Sequence, residues 1–185
     1  YNVSVKNQQS TGQCWAFSTT SALEMYMKKT FNKECLFSPR HIEYTSTRAF
    51  LNGKVNEWGY NRTLGSGGNY YMSSNYLING RGPVLESEMP FENNENSIEI
   101  SQIQNKTMTL DVNDIVMEYS TSGVTCTATA KNKIKQLIYD KGSVAITTYM
   151  NFNTNYYNSS TNAAYYNGSN GINHAVLLVG WDDNY

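Results

Sequence analysis

The chain has 185 residues, enough for one domain or for two lobes sharing a cleft, and enough to bury a sizeable core. Fourteen basic and fifteen acidic side chains leave a net charge of −1, which gives no ground for a nucleic acid or an anionic membrane as partner. The apolar runs are too short to span a bilayer, and no basic start followed by an apolar stretch marks a signal peptide. The first residue is not Met, so the sequence reads as part of a longer protein.

Three cysteines are an odd number. Cys14 lies among Gly, Gln and Trp, whereas Cys35 and Cys126 are isolated. There is no C-x-x-C pair and the two histidines are far apart, which argues against a structural zinc site and leaves no metal expected. A Cys35–Cys126 disulfide is the one bridge that would leave Cys14 free, and sequence does not show whether those two meet.

In chain order, Val3–Gln13 is polar and reads as a loop. From Cys14 to about Thr30 a helix is expected, with Trp15, Thr19, Ala22, Leu23, Tyr26 and Met27 on one face. Ser38-Pro39 is a helix start, Ser as N-cap and Pro in the first turn, and that helix is expected to run to about Phe50. Asn61-Arg62-Thr63 and Asn158-Ser159-Ser160 match the glycosylation triplet, at the frequency chance gives in so Asn- and Ser-rich a chain. Gly65–Gly68 is a flexible segment, Asn69–Ile78 reads as helix, and Gly80-Arg81-Gly82-Pro83 breaks it.

The pattern from Pro83 to Asn105 is irregular, and Thr109–Tyr119 reads as extended. Thr129–Tyr139 carries Ile134, Leu137 and Ile138 on one face and stops before Gly142. Ser143–Tyr149 and Ala175–Trp181 read as strands, the second nearly all apolar and therefore expected to be a buried central strand. Between them, Asn151–Gly171 is a polar Asn- and Tyr-rich stretch, expected to be a long surface loop with room for a hairpin. The first half is mainly helical and the second mainly strand, which gives an α+β class.

A thiol is a useful nucleophile only as its thiolate. A helix N-terminus and a neighbouring imidazolium both favour that anion. Cys14 is the first residue of a predicted helix after a Gly-containing loop, and His174 heads a predicted strand. His41 lies inside the Ser38 helix on its predicted polar side and is the weaker candidate for a base. Spacing alone does not establish a nucleophile. A helical Cys is ordinarily a small buried hydrophobe, and a His before an apolar strand is ordinarily structural.

The local words decide it. Val5-Lys6-Asn7-Gln8-Gln9-Ser10-Thr11-Gly12-Gln13-Cys14-Trp15-Ala16-Phe17-Ser18 closely resembles the nucleophile segment of the papain family of cysteine peptidases. Asn173-His174-Ala175-Val176-Leu177-Leu178-Val179-Gly180-Trp181 resembles that family's catalytic-histidine strand. The two stand in the family's order, slightly farther apart than the ~130–150 residues typical of it, and the polar Asn151–Gly171 stretch can supply the excess. Gly67-Gly68 resembles the paired glycines of the substrate cleft. Gly82-Pro83-Val84-Leu85-Glu86-Ser87-Glu88-Met89-Pro90-Phe91 and Gly142-Ser143-Val144-Ala145 match further family words.

The resemblance implies a papain-like two-lobe fold within 1–185: a helical lobe over about 11–85 facing a β-rich lobe over 86–185, with the cleft between. It implies a cysteine endopeptidase in which Cys14 is the nucleophile and His174 the base. Gln8, six residues before Cys14, would supply the oxyanion-hole amide, with the Cys14 N–H as second donor. Gly67, Gly68 and Asn173 would contact substrate. A protein or peptide is the implied substrate, and no cofactor is implied.

Three departures from the family pattern stand out. The usual Cys three residues before the nucleophile is Thr11, and its partner position before the paired glycines is Gly65, so both halves of that bridge are missing together. Gln13 stands where a small residue is usual. The Asn that orients the family's imidazole belongs to an Asn-Ser-Trp word downstream of the histidine, and the sequence ends at Tyr185 before it. Both ends therefore read as truncated.

The words GGNYYMSSNYL, GPVLESEMPF and NHAVLLVGWDDNY are most similar to a bacterial, clostridial-type cell-surface branch whose members carry a lectin-like domain after the catalytic one. That likeness implies an exported or cell-surface protein acting on surface proteins, with such a domain downstream. Two other readings use the same scaffold. A catalytically inactive peptide-binding module is opposed by the intact Cys14, His174 and Gln8. An acyl-transfer enzyme using the same Cys–His pair would release no new N-termini from a protein.

Overall fold

The computed structural model describes residues 4–104, 106, 107, 115, 127–151, 153 and 155–184. The first long helix, α1 (Cys14–Phe31), begins where the loop words end. It closes on Asn32 in the left-handed region, whose N–H reaches Lys28 O at 3.0 Å while Lys33 N reaches Met27 O at 3.3 Å. Two carbonyls of the last turn are thereby satisfied, and Lys28 and Lys29 complement the negative end of the helix dipole.

A single apolar face was the expectation for α1, and the structure differs. Its buried residues are Trp15, Ala16, Ser18, Thr20, Met25 and Met27, spread around the cylinder. The reason is position: α1 packs against α2, α3, α5, β1 and β4, so several faces are covered at once. The two buried hydroxyls are satisfied locally. Ser18 Oγ donates to Trp15 O and Thr20 Oγ1 to Phe17 O, both at 3.1 Å.

Helix α2 (Pro39–Thr45) starts as read, with Ser38 Oγ accepting from His41 N at 3.0 Å, and ends five residues before Phe50. Asn56 stops it. Its side-chain amide donates to Thr45 O at 2.8 Å and Thr47 O at 3.1 Å, carbonyls that a longer helix would have used internally. The chain then runs through isolated bridges, Thr47 with Tyr60 and Ala49 with Val55. All seven residues of α2 are buried, His41 among them, so the polar side expected for that histidine does not exist.

Helix α3 (Tyr70–Ile78) is capped by Asn69, whose side chain accepts from Met72 N at 3.1 Å. The one-turn α4 (Ser101–Gln104) follows, then α5 (Ala128–Lys141), capped by Thr127 and terminated at Gly142 with φ +99°. Strand β1 (Val144–Thr148) pairs antiparallel with β4 (His174–Leu178) in the register Thr148↔His174, Ile146↔Val176 and Val144↔Leu178. Between them the Asn- and Tyr-rich stretch forms a short hairpin of β2 (Tyr157–Asn158) and β3 (Ala163–Ala164).

The expectation that the histidine strand is buried throughout is corrected: in β4 only Ala175 is fully buried, and Val179 and Trp181 beyond it are exposed. The predicted extended segment Thr109–Tyr119 lies, apart from residue 115, outside the described residues, as does Cys126. The architecture is mixed α+β. Trp15 and Ala16 of α1, Ile42 of α2, Met72, Tyr76 and Leu77 of α3, and Ala175 of β4 form one core cluster. Tyr44, Phe50, Met89, Ile98 and Ile103 form a second.

Candidate active site

The approach to Cys14 is pinned along its length. Lys6 Nζ pairs with Glu24 of α1 at 2.5 Å, and the same carboxylate oxygen accepts from Phe37 N at 2.7 Å. Burial raises the Glu24 carboxyl above its ordinary range, and the Lys6 charge works against that rise. The chain then closes a turn on itself. Thr11 Oγ1 donates to Gln8 O at 2.7 Å and Gln8 Nε2 donates to Thr11 O at 2.6 Å, with Gln9 held at φ +54°.

Gln13 is the N-cap residue of α1, its carbonyl accepting from Ala16 N and Phe17 N at 3.0 Å each. Cys14 is therefore the first helical residue, at the end whose N–H groups lack intrahelical partners. Gln13 itself is fully buried, and neither its side-chain oxygen nor its nitrogen has a hydrogen-bond partner among the described residues. The sequence reading gave this residue no consequence.

His174 enters from β4, opposite Thr148 on β1. Asn173 fixes that strand entrance. Its N–H donates to Thr148 O at 3.1 Å, its Oδ1 accepts from Met150 N at 2.8 Å and its Nδ2 donates to Met150 O at 3.0 Å. The Asn173 side chain and main-chain N–H are thus both occupied within the strand pair.

Packing brings the two elements together. Cys14 lies half-buried against the core cluster that also holds Trp15 and Ala175, the residues that follow the candidate nucleophile and the candidate base. Tyr70, at the start of α3, packs on the same cluster. Its hydroxyl lies 3.0 Å from Ser18 Oγ on α1 and donates to Ile146 O on β1 at 2.8 Å. Burial pushes the Tyr70 phenol up to about 12, and the nearby Cys14 charge adds to the rise.

The glycine wall stands on the other side. Gly12 N donates to Glu95 Oε1 at 2.7 Å, and a Cβ on Gly12 would strike the carbonyl of Gly65. A Cβ on Gly65 would strike the Glu95 carboxylate, and one on Gly68 would enter the ring of Trp15. Of the two positions where the family bridge is missing, 65 thus belongs to a contact made by two bare glycines and one carboxylate, and 11 adjoins it in sequence. Behind the wall, Arg62 pairs with Glu43 at 2.9 Å, donates to Thr47 Oγ1 at 2.9 Å and to Gly67 O, and lies over the Trp15 ring at 5.6 Å. Burial raises the Glu43 carboxyl, and Arg62 opposes that most strongly.

His41 is removed from this site in chemistry as well as in burial. It is 2% exposed, with Nδ1 2.7 Å from Tyr76 Oη and Nε2 donating to Ile103 O at 3.1 Å. Burial brings its pKa down to about 4. Among the described residues Cys14 and Cys35 are free thiols, and the Cys35–Cys126 bridge left open by the sequence lies outside them.

With this geometry in hand, comparison with known proteins is specific. The family model described as papain family cysteine protease matches residues 2–185, and the chain belongs to that family. The structure superposes on the cysteine protease and lectin-like domains of Cwp84, a surface layer associated protein of Clostridium difficile, with a TM-score of 0.77 at 27% identity over 100% of this chain and 39% of that one. A second structure of the clostridial cysteine protease Cwp84, a variant after propeptide cleavage, gives a TM-score of 0.78 at 28% identity over 98% of this chain and 41% of that one. Bromelain from Ananas comosus in complex with the E64 inhibitor shares the fold at a TM-score of 0.64 and 18% identity, over 98% of this chain and 72% of that one. The chain spans about two-fifths of the length of the two clostridial structures. Comparison with curated protein sequences returned no match.

Proposed function

We propose that this protein is a thiol endopeptidase with Cys14 as nucleophile and His174 as its acid–base partner. The observation that carries this reading is the shared packing of Trp15 and Ala175: a helix that starts at one candidate residue is held against a strand that starts at the other. The Cys14 thiolate attacks the scissile carbonyl, and the carbonyl π electrons move to oxygen. Gln8 Nε2 and the Cys14 N–H receive that oxyanion. Collapse breaks the C–N bond as the His174 imidazolium protonates the leaving amine, leaving a thioester. Neutral His174 then takes a proton from water, which attacks the thioester and releases the acid and the thiolate.

Gly67 and Gly68 offer main-chain groups to an extended peptide, and the main chain of Asn173 lines the same entrance. The 11–85 and 86–185 segments serve as the two lobes of the cleft. Surface proteins are the substrate class, the site of action is outside the cell, and a downstream lectin-like domain brings the two together. The likeness to the clostridial surface-layer protease supports these three points. Limiting iodoacetamide followed by peptide mapping tests the chemistry. Labelling is expected at Cys14, with loss of peptide hydrolysis, and preferential labelling of Cys35 or Cys126 would sink the assignment.

A further inference from the structure

The Arg62 guanidinium sits behind the glycine wall and touches Glu43, Thr47, Gly67 and Trp15. Arg62 is 8% exposed at its side chain and its partner Glu43 is wholly buried. One arm, Nη1, donates to Glu43 Oε1 on α2 at 2.9 Å and to Thr47 Oγ1 at 2.9 Å. The other, Nη2, donates to the carbonyl of Gly67. The guanidinium carbon lies over the Trp15 ring at 5.6 Å from its centroid, one residue from Cys14. Glu43 Oε1 in turn accepts from Gly65 N at 3.3 Å. On its far side Gly67 faces open space, at φ +76°, with no atom of the described residues within 4 Å of where a Cβ would stand. The wall therefore has one side on the ion pair and one side free.

Burying a charged pair is unfavourable unless its hydrogen bonds are complete, and here Glu43 Oε2 has no hydrogen-bond partner among the described residues. Here the pair grips two main-chain groups of a loop in which Ser66 carries the one side chain between Gly65 and Gly68, bonded to Thr63 O. A loop containing Gly65, Gly67 and Gly68 samples many backbone conformations when untethered. A main-chain surface that reads an extended peptide needs one of them held before the peptide arrives, because ordering it on binding weakens the complex. Lys in place of Arg62 could keep the charge but not the two-armed reach to Glu43 and Gly67 together.

We propose that Arg62, anchored by Glu43, is a positioning residue that presets the Gly67–Gly68 wall for an extended peptide main chain. The proposal rests on the reading of that wall as substrate-binding, and it concerns peptide affinity rather than thiol chemistry.

The test uses the protein in three forms: unchanged, Arg62→Lys, and the double variant Glu43→Leu/Arg62→Met, which removes both buried charges together. KM and kcat for casein hydrolysis, the rate of Cys14 alkylation by iodoacetamide, and the affinity of Cys14→Ala versions for fluorescein-labelled casein are measured. Both variants are expected to weaken casein binding and raise KM about tenfold, one charge-assisted hydrogen bond's worth. Their kcat and alkylation rate should stay within about twofold of the unchanged protein. Casein affinity unchanged in either folded variant overturns the proposal. A parallel fall in affinity and alkylation rate also overturns it, because general loosening then accounts for the effect. If one variant does not fold, the other is read alone. Failure of the catalytic reading would show separately, as alkylation of the unchanged protein at a cysteine other than Cys14.

Discussion

Tyr70 on α3 donates a hydrogen bond to the carbonyl of Ile146 on β1 at 2.8 Å, while its hydroxyl also lies 3.0 Å from Ser18 on α1. One phenol thus fastens a strand to two helices beside Cys14, which packs on the same cluster.

Tyr70→Phe should keep the ring packing and lose this junction. The Ile146 carbonyl would lose its donor in a half-buried setting, so stability should drop by about 1 kcal/mol. Urea midpoints at constant m-value would show it. An unchanged midpoint would mean that water replaces the phenol at no cost.

Gln8→Ala should lower kcat by about 10²–10³-fold, the usual effect of deleting one oxyanion donor. The turn would also lose the bond from Nε2 to Thr11 O, so the rate of Cys14 alkylation serves as control. A kcat within a few-fold of the unchanged protein, with alkylation intact, would assign the donor role elsewhere.

Gly68 is exposed, and a Gly→Ala change at an exposed site is ordinarily harmless. Here the added methyl would enter the ring of Trp15, which is 1% exposed and fixed by its neighbours. Gly68→Ala should therefore destabilise by about 1–3 kcal/mol, the range of an overpacked core. Thermal melts would decide, and an unshifted Tm would show that the loop swings clear of the indole.

The words around Cys14 and His174 were legible because they are contiguous. The capping of α2 by Ser38 and the stop of α5 at Gly142 were legible because single residues carry those signals. What sequence did not show is what depends on partners far along the chain. Asn56 ends α2 by taking the carbonyls of Thr45 and Thr47, and nothing in residues 39–50 announces that. Arg62 reads in sequence as the middle of a chance Asn-x-Thr triplet. Only the fold places Glu43, Gly67 and Trp15 around it. Glu95 likewise lies in an irregular stretch, yet it meets both Gly12 and Gly65. Gln13 stood out in sequence only as a residue larger than usual, whereas in the fold α1 is enclosed and the amide is buried without a partner among the described residues.

The last prediction concerns His41 and acid. Its ordinary pKa of 6.5 falls to about 4 in the folded protein, chiefly because burial disfavours the imidazolium. The Ile103 carbonyl and Glu88 favour the charge and Lys106 opposes it, but none of them reverses the burial effect. Between those two values the unfolded chain binds a proton at this histidine and the folded one does not. Stability therefore rises with pH across that window. The contribution is fully present above about 6.5 and is lost as the pH falls to about 4, where both states are protonated. Its size is about 3 kcal/mol, a large part of a domain's ~5–15 kcal/mol. Urea unfolding at intervals from pH 7.5 to 4 should show this fall, and in His41→Gln the fall should shrink by about the same amount. Glutamine keeps a donor and an acceptor for Ile103 O and Tyr76 Oη but takes up no proton, so a lower stability common to every pH would reflect packing alone. Stability curves for the two proteins that run parallel between pH 6.5 and 4 would refute a neutral, buried His41.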